Sequence, residues 1–181
     1  MKNITDLDDY IYNLNIAKSG TDTEFFAGFC FQIEKEILSG KNYIEPGLLG
    51  KQLYNELIAD LDSSNEPQSQ KFIDLINGVT YTQGGNTYNW IGLKEMLKYF
   101  VYASYLKYRY SFETGIGSVK LSGVNSTLIN RKDLYYKANT EFNKGVQYYN
   151  FDAYHYISNN QSSFTNWKFS EQSKFLTRGL Y

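Results

Sequence analysis

Apolar side chains recur at helical spacing through most of the chain, and one alternating stretch interrupts them. Phe26, Phe29, Ile33 and Ile37 lie three and four residues apart, behind Thr21-Asp22-Thr23-Glu24 and ahead of Gly40. A capping residue and early acids satisfy free amides and complement the helix dipole, so a helix is predicted over 22–39. Leu49, Leu53, Leu57 and Leu61 then repeat every four residues behind Pro46, with Ile58 on the same side, which predicts a second helix. After a break at 62–67, Pro67 is placed to open a shorter helix through Phe72, Ile73, Leu75 and Ile76, stopped at Asn77-Gly78.

The period then changes. VTYTQGGNTYN sets β-branched and aromatic residues on either side of Gly84-Gly85, the pattern of a hairpin with a two-residue turn, and its register puts Tyr81 across from Tyr88. A hairpin alone is marginal in water, so this one must pack on helices or on another chain. The longest helical pattern follows from Trp90 to Phe112, with Asn89 as its cap. Leu93, Met96, Leu97, Phe100, Val101, Ala103, Ser104 and Tyr108 make a wide apolar arc, and Lys94, Glu95, Lys98 and Arg109 lie opposite. Tyr99, Tyr102, Tyr105 and Tyr110 spread further round, so this helix needs neighbours on more than one side.

The residues 114–129 hold three glycines and no sustained period, which marks an irregular loop with a short strand at Ser118 to Leu121. Asn130 can cap a second long helix through Leu134, Ala138, Phe142 and Val146, with Gly145 as a weak point, before YYNFDAYHYI. The chain before residue 20 is weakly patterned, with a short turn or helix at Asp8 to Ile16. The pattern therefore predicts a mainly α fold, a bundle of about four to five helices with a small β-hairpin and an irregular Gly-rich loop. A single helical domain is expected over 1–158. The segment 159–181 starts polar and ends aromatic and basic, so it is read as a tail that a partner surface covers.

Composition sharpens this picture. A chain of 181 residues can bury a core without staples. Its 18 Tyr, 12 Phe and 2 Trp exceed what one small core needs, which points to contact surfaces. Residues 1–66 carry five lysines against twelve acids (net −7), and 67–181 carry thirteen basic residues against seven acids (net +6), a polarity suited to orienting neighbouring subunits or facing DNA. Cys30 is the single cysteine, so no intrachain disulfide forms; it fits a small core residue in a chain of a reducing compartment. No run approaches a membrane span and the first residues lack an apolar signal core, so a soluble, unprocessed protein with no membrane partner is expected.

Catalytic chemistry has little to work with. The sequence holds no phosphate-binding loop, zincin helix, serine elbow or EF-hand, and Thr114-Gly115-Ile116-Gly117 follows a helix instead of the strand a dinucleotide site requires. Asp152 and the single histidine, His155, can meet on one helical face, but no nucleophile stands nearby and a surface or partly packed histidine is the plainer reading. No enzyme, cofactor or metal is expected. Aromatics interleaved with bases at 99–110 and 167–178 also suit single-stranded nucleic acid, so a nucleic-acid-binding accessory protein is the alternative.

In order, the acidic helix start at Thr21 to Glu24, IEPGLLGKQLYNEL at Ile44 to Leu57, and WIGLKEMLKYFVYASYLKY at Trp90 to Tyr108 with TGIGSV at Thr114 to Val119 resemble the head-to-tail connector, or adaptor, proteins of tailed bacteriophages that infect Bacteroidetes. The resemblance spans residues 20–150. It implies a non-enzymatic virion protein, assembled in the host bacterial cytoplasm, that forms a homo-oligomeric ring, commonly a dodecamer, in the neck. Such a ring docks on the portal protein, extends the channel through which genomic DNA passes and receives tail or further neck proteins. A heterologous ring contact suits a chain with an acidic and a basic end. On this reading Tyr99, Tyr102, Tyr105, Arg109 and Tyr110 are candidates for the subunit interface. Ile116, Lys120, Leu121, Trp167, Phe169, Phe175, Arg178 and Tyr181 are candidates for portal or tail contacts.

Overall fold

The structure, a computed structural model, describes residues 3–5, 20–40, 47–110, 112–114, 117–119 and 131–167. The elements are α1 (Gly20–Ser39), α2 (Gly50–Asp60), α3 (Gln70–Asn77), β1 (Val79–Gln83), β2 (Asn86–Trp90), α4 (Leu93–Tyr110), β3 (Phe112–Thr114), β4 (Gly117–Val119), α5 (Arg131–Gln147), a π-helical turn (Tyr148–Ala153) and α6 (Tyr154–Asn159). The backbone stays helical from α5 through the π-turn into α6, so these three make one rod. Five helical rods and an antiparallel β1–β2 hairpin give the mainly α fold that the periodicity predicts.

The helix α4 lies at the centre and packs against α1, α3 and α5. Its Leu93, Met96, Leu97, Phe100, Val101 and Ala103 are buried. Phe100 meets Phe142 edge-on, with ring centroids 5.2 Å apart. The same ring stands 3.0 Å from where a Cβ on Gly145 would be, so Gly145 is a fitted contact in an uninterrupted helix and not a kink. Cys30 is buried against Val101, the core role its surroundings suggested.

The leucine repeat of α2 points inward as expected, with Leu49, Leu53, Leu57 and Leu61 all buried. Just ahead of it, the amides of Leu48 and Leu49 donate to the carbonyls of Ile37 and Leu38 at 3.0 and 2.8 Å. These are carbonyls at the end of α1 that the helix itself cannot satisfy. The first described residues join the same end of the molecule. Ile4 and Thr5 donate their amides to the Glu34 carboxylate at 2.8 and 2.9 Å, and the Thr5 hydroxyl donates to it as well. Glu34 is only 2% exposed, and three donors from residues 29 and 30 positions away stabilise its charge there.

Several boundaries differ from the sequence expectation, each for a local reason. Pro67 pairs with Leu61 in a β-bridge instead of opening a helix, and the Asp60 carboxylate accepts the amides of Gln68 and Ser69 ahead of α3. Asn89 lies in β2 and caps nothing, because the strand runs on through Trp90. The Trp90 indole donates to the Leu75 carbonyl at 3.0 Å and stacks on Tyr156, which fixes the hairpin's end in the core and delays α4 to Leu93. Gly78 and Gly92 make that junction possible, with φ of +89° and +93°. A Cβ at Gly92 would stand 2.4 Å from the Ile76 carbonyl oxygen, and one at Gly78 would stand 2.5 Å from that of Trp90. At its other end α4 stops at Tyr110, and Phe112 belongs to a second small antiparallel pair that the sequence reading assigned to helix and loop. The strand expected at Ser118 to Leu121 is observed as Gly117–Val119; residues 120–129 lie outside the described residues.

The predicted domain end at 158 is also corrected. After α6 the chain turns through residues 160–163, and Phe164 and Trp167 insert into the main core. The first part of the presumed tail is therefore part of the helical body, at least as far as Trp167.

Candidate subunit interface

The tyrosines outside the apolar arc of α4 have neighbours within their own chain. Tyr99 is half-buried and stacks on Tyr148 of the π-turn at 5.4 Å, with the Lys144 ammonium 5.9 Å from its ring. Burial raises the Tyr99 pKa, and the nearby Tyr148 adds to the effect. Tyr102 lies beneath the Lys137 ammonium at 5.5 Å. Tyr102 and Tyr105 also pack with Phe29 and Ile33 around Cys30 and Val101. The structure thus brings Tyr99 and Tyr102 to one flank of the α4–α5 pair, partly covered by lysines and by α1. Arg109 and Tyr110 fall on the last turn of α4, but their side chains lie outside the described residues.

Trp167 is not a surface contact. It is 4% exposed, its indole donates to the Leu48 carbonyl at 2.8 Å, and its ring meets Tyr154 edge-on. A large ring with one polar edge is held best where both needs are met, and the loop before α2 supplies the acceptor. This residue, expected to reach the portal or tail, instead ties the chain after α6 to the chain before α2. Ile116, Lys120, Leu121, Phe169, Phe175, Arg178 and Tyr181 lie outside the described residues.

Two other large aromatic side chains are open to solvent. Phe151 is 68% exposed and Tyr136 52%, both on the α5 rod. Phe151 sits in the π-turn, between the buried Tyr149 and Ala153, and a residue two positions from each must face away from them. Single π-turns inside α-helices often sit at functional positions, since the extra residue re-aims the side chains around it. Beside Phe151 a groove of about 320 Å³ is lined by Lys144, Gln147, Tyr148 and Asp152. Lys144 donates to the Glu141 carboxylate at 2.9 Å, a bond that raises its pKa and keeps it charged. Burial raises the Asp152 pKa, partly offset by His155. The groove is therefore aromatic along its wall, with a cation and an acid at its rim, a chemistry suited to a protein surface of mixed character.

Asp152 and His155 do come close enough to interact, but His155 is engaged elsewhere. Its Nδ1 lies 3.0 Å from the Tyr81 hydroxyl and 3.0 Å from the Asn159 amide nitrogen, and its ring tilts against Tyr88. It is exposed and serves as a bracket between the hairpin and the rod, a surface, partly packed histidine.

The described residues define a mainly α protein with an aromatic flank along the α4–α5 pair. The family model that matches it covers residues 46–175, from just ahead of α2 to beyond Trp167, and the chain belongs to that family, a family of unknown function designated DUF6712. No curated protein and no solved structure matches the chain. No helix among the described residues is long and apolar enough to cross a membrane.

Proposed function

We propose that this chain is a structural virion protein that forms a ring between portal and tail, a head-to-tail connector through which genomic DNA passes. The observation that carries the reading on the structural side is Phe151, the large apolar side chain left most open beside the Tyr99–Tyr148 stack. An exposed aromatic at the centre of a grooved, mixed-charge flank suits the anchor of a protein–protein contact, with a charged rim around it. The resemblance of Ile44–Leu57 and Trp90–Tyr108 to phage connectors gives the contact its setting, and the net charges of −7 and +6 in the two parts of the chain suit head-to-tail neighbours. The work of such a protein is mechanical. The helices form the wedge of a protomer, and the twelvefold stoichiometry common in connectors is the expected one.

The test is Phe151→Ser in a phage whose own copy is removed. Because the side chain is exposed, the folding stability of the variant should stay within about 0.5 kcal/mol of the parent. Neck assembly should fail, leaving heads without tails. Normal tailed particles from the variant overturn the assignment of this flank. Salt-dependent binding of the isolated chain to single-stranded DNA, with no place in the particle, favours the nucleic-acid-binding alternative instead.

A further inference from the structure

The hairpin β1–β2 has no part in the reading above, yet among the described residues no strand pairs with either of its edges. Its residues, Val79 to Trp90, include no charged side chain and no proline. The pairing Gln83↔Asn86, Thr82↔Thr87, Tyr81↔Tyr88, Thr80↔Asn89 and Val79↔Trp90 is continuous, without a bulge. In a hairpin with a two-residue turn, the pair flanking the turn is hydrogen-bonded and bonded pairs then alternate. The backbone groups of Gln83, Tyr81 and Val79 thus point inward to their partners. Those of Thr80 and Thr82 point outward along one edge, and those of Thr87 and Asn89 along the other.

All four of these residues are exposed, and the sheet has two strands among the described residues. Each edge therefore offers two N–H donors and two carbonyl acceptors, repeating every second residue. The side chains do not hide them. Tyr81 and Tyr88 turn to the rod, where Tyr81 meets Tyr156 and Tyr88 meets His155. Thr80 and Asn89 bond to each other across the outer face. Exposed strand edges are normally blunted by lysine, proline, a bulge or an inward charge, because an open edge recruits another strand. This hairpin carries none of these devices.

The geometry points to strand addition between copies of this chain, with the β2 edge of one copy seated on the β1 edge of the next. Both edges are five residues long, and antiparallel order continues across such a junction. With no charge on either strand, identical copies meet there without repulsion. The contact is head-to-tail, so it propagates, and closing it in a circle leaves no free edge. The proposal rests on the connector reading for the ring itself and adds a sheet of hairpins running round it.

The test uses the purified full-length chain, with sedimentation and amide hydrogen exchange followed against concentration. Association should grow with concentration, and in the associated form exchange at Thr80, Thr82, Thr87 and Asn89 should slow by about tenfold or more. The amides of Tyr81 and Tyr88 should be slow in the monomer already. Thr82→Pro deletes one edge N–H without touching a bond inside the hairpin, and Thr82→Lys sets a charge on the edge. Each should weaken association by about tenfold, and the lysine variant should keep the parent's circular dichroism and melting. The proposal is overturned by a chain that stays monomeric throughout, by association that leaves those four amides unchanged, or by undiminished association of Thr82→Lys. A neck that assembles normally from the Thr82→Lys chain overturns the hairpin contact and leaves the connector reading in place. Absence of the chain from the neck is the failure of that reading.

Discussion

Trp167 shows how one residue alters the anatomy of the chain. An indole surrounded in sequence by Asn, Lys and Phe reads as an exposed anchor, and nothing within ten residues of it signals the acceptor at Leu48. Its partner is 119 positions away, a distance that periodicity cannot bridge. Trp167→Ala should cost about 3–5 kcal/mol, as expected for a large aromatic removed from a core. Trp167→Phe keeps the ring but leaves the buried Leu48 carbonyl without its donor, at about 1–3 kcal/mol. Chemical denaturation measures both. Parent-like stability of the alanine variant returns Trp167 to the surface, where the sequence first put it. Phe151 is the opposite case: it was not among the expected contacts, yet a local pattern in the sequence marks it as exposed. The buried line Phe142, Val146, Tyr149 and Ala153 follows three- and four-residue steps, and Phe151 falls off it.

Among the elements, the α5 rod has the most testable chemistry. Burial raises the pKa of Tyr149 and takes that of Tyr156 from 10.0 to about 12, and across the core burial with the charge of Glu34 takes Tyr54 to about 12. A folded chain that holds these protons more tightly than the unfolded one gains stability that is complete below pH 10 and lost as pH climbs toward 12. Stability should therefore be flat up to about pH 10 and fall steeply above it, while phenolate absorbance shows a group of tyrosines titrating late. Tyrosines that all titrate near 10 in a chain with intact circular dichroism contradict this packing. The rod's helical character, the leucine face of α2 and the Tyr81–Tyr88 register were all readable, because each follows from a local period or a two-residue turn. The stops at Ser39 and Asn77 were readable as well, ahead of Gly40 and Gly78, but other ends were not. The stop of β2 at Trp90 depends on the Leu75 carbonyl and the Tyr156 ring, the start of α3 on the Asp60 carboxylate, and the burial of Ile4 and Thr5 on Glu34. Each rests on long-range or side-chain contacts that lie outside the repeat of its own segment. Of the candidate interface residues, which the sequence spreads round α4, Tyr99 and Tyr102 lie on one flank; Lys144, Tyr148 and Lys137 cover part of it, and the exposed aromatic nearby is Phe151 on the facing rod.

At the scale of the molecule, the described residues form a helical core with two surfaces open among them, the Phe151 groove and the edges of the hairpin. Both are suited to binding protein, and a chain with unlike charge in its two parts suits a head-to-tail arrangement of copies. The connector account joins these features into one statement, that the chain works as a ring in the neck of a phage particle. Cryo-electron microscopy of tailed particles that carry this chain tests it most directly. The account predicts a ring of copies between portal and tail, with the Phe151 flank against a neighbouring subunit and the DNA channel passing through the centre. Particles whose neck holds no density for this fold, with the chain found elsewhere or not at all, contradict it.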